Sequence, residues 1–186
     1  MAAPISPSRQ TARWALWLPL ALFALFVVLV MAGLLHPANR EVKSAMIGKP
    51  LPQFDLKPAS ASRPGLAFAN LADGQPHLLN LFASWCVPCA VEAPQLRYLK
   101  LRGVNVVGVA IRDKPQDLDA FLARNGNPFS RIGADNVSKI QFGIGSSGVP
   151  ESFVVDGRGV IRYQHIGDIR ADQVDLILAK IAEAGQ

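Results

Sequence analysis

The chain has 186 residues, half of them apolar, with 19 Lys and Arg against 14 Asp and Glu for a formal net charge of +5. This length suits one domain plus an additional segment. Arg9 and Arg13 supply two of the excess positive charges. The other three are spread without a Lys/Arg cluster, which excludes a nucleic-acid footprint and leaves an ordinary solvated surface.

Residues 1–13 read as a short cytoplasmic N-terminus. From Trp14 to Leu35 no charged residue interrupts a run rich in Leu, Ala, Val and Phe. As a helix, its roughly 22 residues cover about 33 Å, enough for a hydrocarbon core of about 30 Å. A single transmembrane anchor over 14–35 is therefore expected. The competing reading is a cleaved signal peptide with Arg9 and Arg13 as its basic flank, though a signal core runs to only about 7–15 residues. Either way the remainder is exported. Arg40, Lys43 and Lys49 follow the run closely, so the positive-inside count does not decide orientation.

Residues 36–50 read as a tether, and 51–186 as one domain of comfortable size for a single core. Within it, Leu66 to Asn70 is a short strand candidate ended by Ala72-Asp73-Gly74. Leu78 to Ala83 is a nearly continuous apolar run, as expected of a strand buried on both faces. Pro88 to Leu101 predicts a helix with Val91, Leu96, Leu99 and Leu101 on its apolar face, kinked at Pro94 and stopped by Gly103. Val104 to Ile111 is a second buried strand. A helix then starts at Asp113-Lys114-Pro115, with Asp113 able to cap it, Pro115 near its first position and Leu118, Phe121 and Leu122 at buried-stripe spacing; it runs through Arg124, with Gly126 as its stop. Val137 to Phe142 suits one or two helical turns. Glu151 to Val155 and Val160 to Gln164 flank Asp156-Gly157-Arg158-Gly159, a hairpin signal. Arg170 to Ala184 closes the chain as an amphipathic helix with Val174, Ile177, Leu178 and Ile181 inward. The alternation predicts an α/β sandwich whose sheet is parallel in its first part and antiparallel at the hairpin.

Cys86 and Cys89 are the only cysteines, two residues apart between a strand and a helix. At a helix start such a pair can close a disulfide with little backbone movement. The first cysteine meets the free N–H groups and the positive end of the helix, which favour the thiolate that attacks in thiol–disulfide exchange. Cys86 is thus the nucleophile candidate and Cys89 the resolving thiol. A zinc site needs four ligands, and beyond the cysteines only His36, His77 and His165 remain, without metal-binding spacing. A purely structural disulfide here would close a tiny loop and constrain the unfolded chain little. His77 and His165 read as surface or turn residues.

Trp85-Cys86-Val87-Pro88-Cys89 resembles a thioredoxin-fold active site, and Gly148-Val149-Pro150-Glu151-Ser152-Phe153 resembles the Gly-x-Pro-Glu-Thr-Phe segment of the CcmG/DsbE branch. Gly126-Asn127-Pro128-Phe129, Gly159 to Tyr163 and Ile47-Gly48-Lys49-Pro50 are similar as well, so the resemblance covers nearly the whole chain. It implies a thioredoxin-like sandwich behind an N-terminal anchor. The implied protein is a bacterial inner-membrane protein whose domain faces the periplasm. Its implied task is reducing the disulfide of CxxCH haem-attachment motifs in apocytochrome c during cytochrome c maturation. No cofactor beyond the dithiol is implied, and re-reduction falls to a membrane electron donor of the DsbD/CcdA type. Pro150 matches the family's cis-proline, which exposes the backbone of Val149 for pairing with an extended client segment.

Trp85 is expected to offer a flat apolar shelf to substrate. Glu92, one helical turn beyond Cys89, is expected to exchange a proton with it if desolvated. A first-turn Glu helped by the helix dipole is the bland alternative, and the family's acidic residue at this position favours the functional one. Glu151 is expected either to bond substrate or tune Cys86, or else to be a surface carboxylate at a strand end. Ser146 and Ser147 depart from the family, which usually carries an aromatic just before Gly148. Two other activities stay open: a more general anchored disulfide reductase of the TlpA/ResA kind, and an apocytochrome-binding module without net electron transfer.

Overall fold

The computed structural model describes residues 9–35 and 45–186, with side chains described over 17–33 and 45–186. The chain divides into two compact units, Met1–Val42 and Lys43–Gln186. The first contains helix α1 (Arg9–Leu35), which takes in the whole apolar run and continues through Pro19. Its described side chains are all exposed. Among the described residues no helix is long and apolar enough to cross a membrane. Residues 1–8 of the expected N-terminus and 36–44 of the expected tether lie outside the described residues, as do the side chains of 14–16 and 34–35.

The second unit is built on a five-stranded sheet. Its strands are β3 (His77–Phe82), β4 (Asn105–Ile111), β5 (Ile132–Asp135), β6 (Glu151–Val155) and β7 (Ile161–Ile166), in the order β5-β4-β3-β6-β7. β3 pairs parallel with β4, and β4 with β5, whereas β6 is antiparallel to both β3 and β7. The expected mixed sheet is present, with one strand more than the sequence reading had: β5, whose Ile-Gly-Ala-Asp lacks a β-branched run. A small antiparallel pair, β1 (Asp55–Leu56) with β2 (Leu66–Ala67), precedes the sheet. The chain between them bonds to β5 through Ala134 N–H to the Lys57 carbonyl and Ala59 N–H to that of Ile132. That covers an edge which would otherwise present unpaired backbone groups. The candidate strand at 66–70 is only half strand, since Phe68–Asn70 forms a 3₁₀ turn.

Helix α2 (Val87–Leu101) follows β3, α3 (Pro115–Asn125) follows β4, α4 (Lys139–Gly143) follows β5, and α5 (Val174–Ala184) closes the chain. The period of two along β3 sends Leu78 and Phe82 into one core with Leu96, Leu99, Phe121 and Ile177. Leu79 and Leu81 enter a second core with Leu66, Leu71, Ile140 and Ile144. α2 buries Cys89, Glu92, Ala93, Leu96 and Leu99. Val91 and Leu101, expected inward, are instead 60% and 84% exposed. At 100° per residue they fall off the 89/92/96 stripe, and a carboxylate takes the inward position instead.

Candidate active site

The dithiol sits where β3 hands over to α2. Cys86 is the N-cap of α2 and its Sγ accepts the Cys89 N–H at 3.2 Å. Val87 and Pro88 open the helix, and Pro88 gives up a donor that has no intrahelical partner there. Cys86 and Cys89 form a disulfide with Cα atoms 5.3 Å apart. Both are buried, while their neighbours Trp85 and Val87 are exposed. Trp85, immediately before Cys86 in the chain, is 59% exposed.

Two features support the approach to this helix. Asp113, the acid expected to cap α3, turns away from it. Lys114 is the N-cap, and Asp113 accepts the Ser84 N–H at 2.5 Å and the Ser84 Oγ–H at 2.6 Å. Its carboxylate pins the chain two residues before Cys86. The Val149–Pro150 peptide bond is cis, and Val149 packs against the core that contains both cysteines.

Glu151 is neither a surface carboxylate nor open to a client. It is buried, and its Oε2 accepts from the Ser146 Oγ–H at 2.6 Å and the Ser147 N–H at 2.8 Å. The Gln164 amide donates to its other oxygen. The two serines that depart from the family pattern therefore anchor the loop before Pro150 onto Glu151.

Glu92 is fully buried beneath Cys89 on α2. Asn80 Nδ2 donates to its Oε1 at 2.9 Å, and the Ile169 N–H to its Oε2 at 3.1 Å. Burial pushes its carboxyl from the ordinary 4.5 up to about 7, with these two bonds pulling the other way and the charge of Asp168 adding to the rise. A carboxyl poised near neutrality one turn from a thiol can take up or return that thiol's proton. Sequence reasoning missed Asn80, although one polar residue inside an otherwise apolar strand was visible as a signal. It also misplaced two histidines. His77 is buried at the start of β3 with Nε2 2.8 Å from Asp73 Oδ1, and His165 is buried on β7 with Nε2 3.2 Å from the Asp168 carbonyl. Both occupy inward strand positions, where alternation rather than polarity decides burial.

Comparison with known proteins agrees with this geometry. Residues 46–178 match the Redoxin family. The thiol:disulfide interchange protein DsbE of Yersinia pestis is 40% identical over 160 residues, covering 83% of this chain and 84% of that one. HelX of Rhodobacter capsulatus, also a thiol:disulfide interchange protein, is 38% identical over 172 residues, covering 90% and 97%. Among solved structures, a DsbE-type thiol:disulfide interchange protein from Chlorobium tepidum superposes with a TM-score of 0.64 at 26% identity, over 75% of this chain and 98% of that one. A strand-to-helix dithiol on a thioredoxin-like sheet and these relatives converge: the chain is a thiol:disulfide oxidoreductase of the Redoxin family, among the DsbE/HelX-type interchange proteins.

Proposed function

We propose that the dithiol reduces the disulfide of CxxCH motifs in apocytochrome c on the periplasmic side of a bacterial inner membrane, with residues 14–35 as the anchor. The observation that carries the reading is a Cys86–Cys89 pair at the start of α2, together with a cis Val149–Pro150 bond. The first lies in a segment that resembles a thioredoxin-fold active site, and the second in the 148–153 segment that resembles the cytochrome c maturation branch.

In the proposed cycle, reduced Cys86 attacks one sulfur of the client disulfide as thiolate and expels the other as a client thiolate. Cys89 then gives its proton to Glu92 and attacks Cys86 Sγ. The mixed disulfide breaks, and the client leaves as a dithiol after taking up protons. Two electrons have moved to the client, and the Cys86–Cys89 disulfide remains. A membrane donor of the DsbD/CcdA type returns the two electrons. The chemistry needs no cofactor beyond the dithiol. Trp85 and the backbone of Val149 hold the client segment, while Glu151 acts from behind, as a positioning residue for the loop that carries Val149 and Pro150.

Alkylating cells before lysis tests the direction of exchange. A largely reduced Cys86/Cys89 pair, becoming oxidised when electron delivery is removed, is the expected result. A pair that stays oxidised with delivery intact contradicts the reductase reading.

A further inference from the structure

Between β3, α2 and the 126–129 loop lies a cavity of ≈ 10 Å³, lined by Asn80, Phe82, Cys89, Glu92, Gly126 and Pro128 among others. That is about the smallest volume that holds one water. Asn80, fully buried, spends both protons of its amide, one on Glu92 Oε1 at 2.9 Å and one on Ser152 Oγ at 3.0 Å. Its Oδ1 is buried without a partner. A buried carbonyl oxygen left unpaired is costly, and a water with two or more polar neighbours relieves that cost. Cys89 and Glu92 line the same space.

We propose that Asn80 is a positioning residue of the exchange reaction. Its Nδ2 group orients the Glu92 carboxylate, and its Oδ1 seats one water that relays the Cys89 proton to Glu92. The relay conserves atoms: the thiol gives its proton to the water, the water passes one to Glu92, and the Cys89 thiolate attacks Cys86 Sγ. The inference rests on Glu92 being the proton partner of Cys89. The other groups acting on Glu92 are the Ile169 N–H and the Asp168 carboxylate, from the segment after β7. His165 of β7 meets the carbonyl of that same Asp168.

The test uses the full chain in detergent micelles with a peptide carrying an internal CxxC disulfide. Acid-quenched single turnovers report how fast the mixed disulfide resolves at each pH, and carbon NMR of the Glu92 carboxyl reports its midpoint. Asn80→Leu removes a bond to the charged form and fills the cavity. The Glu92 midpoint is expected to rise by about one pH unit. Resolution at pH 7 should slow about fivefold, as the ionised fraction falls from about one half to about one tenth. A midpoint and rate that do not move overturn the inference. Glu92→Gln separates the two readings: if it leaves resolution intact, the proton role of Glu92 itself fails. If it slows resolution while Asn80→Leu does not, only the role of Asn80 fails. Should Asn80→Leu not fold, the unaltered protein still decides the matter. Magnetisation transfer from a long-lived water to the Asn80 Nδ2 protons is expected, and its absence overturns the water site.

Discussion

The buried carboxylate of Glu92 makes the fold itself sensitive to pH, and Glu92→Gln isolates that sensitivity. In the folded chain the carboxyl titrates at about 7 rather than 4.5, raised chiefly by burial. For a group whose folded value is raised, the stabilising contribution is complete below the unfolded value and is lost as pH rises through the folded one. The separation is about 2.5 pH units, which at 1.36 kcal/mol per unit corresponds to about 3 kcal/mol lost between roughly pH 4.5 and pH 8. Glutamine has nearly the same shape, keeps one acceptor and does not titrate, so its effect is a constant offset. The stability difference between wild type and Glu92→Gln should therefore shift by about 3 kcal/mol across this window, with wild type losing ground as pH rises. In thermal unfolding of the oxidised chain that is a relative change in Tm of about 6–12 °C. Other titrating groups are common to both proteins and cancel. Two curves running parallel from pH 4.5 to pH 8 refute the raised pKa, and with it the poised proton acceptor.

Other substitutions probe the scaffold around the dithiol. Asp113→Ala releases Ser84 from two short bonds and should cost about 1–3 kcal/mol, read in urea unfolding and as faster amide exchange at Ser84. Glu151→Ala leaves the buried Ser146 hydroxyl, the Ser147 N–H and the half-buried Gln164 amide without their acceptor. A loss of about 3 kcal/mol is expected in thermal unfolding, together with slower exchange on a peptide disulfide. Gly108→Ala places a Cβ 2.8 Å from Phe82 Cε1 and 3.0 Å from Phe129 Cδ1, inside a stacked pair with centroids 4.4 Å apart. Overpacking of that kind costs about 1–3 kcal/mol, whereas Gly148→Ala meets nothing within 4 Å and should leave the unfolding midpoint nearly unchanged.

Elements with strong local signals were legible in the sequence. The apolar run at 78–83, the strand ending at Ile111 and the Asp-Gly-Arg-Gly turn all appear within a residue or two of where pattern places them. The dithiol was legible for the same reason, because its chemistry depends on a spacing of two residues at a helix start. What escaped depends on contacts across the fold. β5 is held by β4 and by the 57–59 backbone rather than by its own residues. Asp113 looked like a helix cap, but it serves Ser84, far from it in sequence. Glu151 is buried because β6 is an interior strand flanked by β3 and β7, and Ser146, Ser147 and Gln164 supply its donors. Helix α2 shows the same limit most plainly. Apolar identity pointed to Val91 and Leu101, while geometry buried Glu92, the residue on which the proposed proton transfer depends.

The account's central claim is that Cys86 attacks the disulfides of haem-attachment motifs and Cys89 completes the reduction. The most direct test expresses the full chain with Cys89→Ser in a cytochrome-producing bacterium, blocks free thiols before lysis, and identifies what is disulfide-linked to Cys86. The expected result is an adduct with CxxCH-bearing apocytochrome c that vanishes when Cys86 is also replaced by Ser. An absence of any adduct, or a set of trapped proteins without that motif, contradicts the claim.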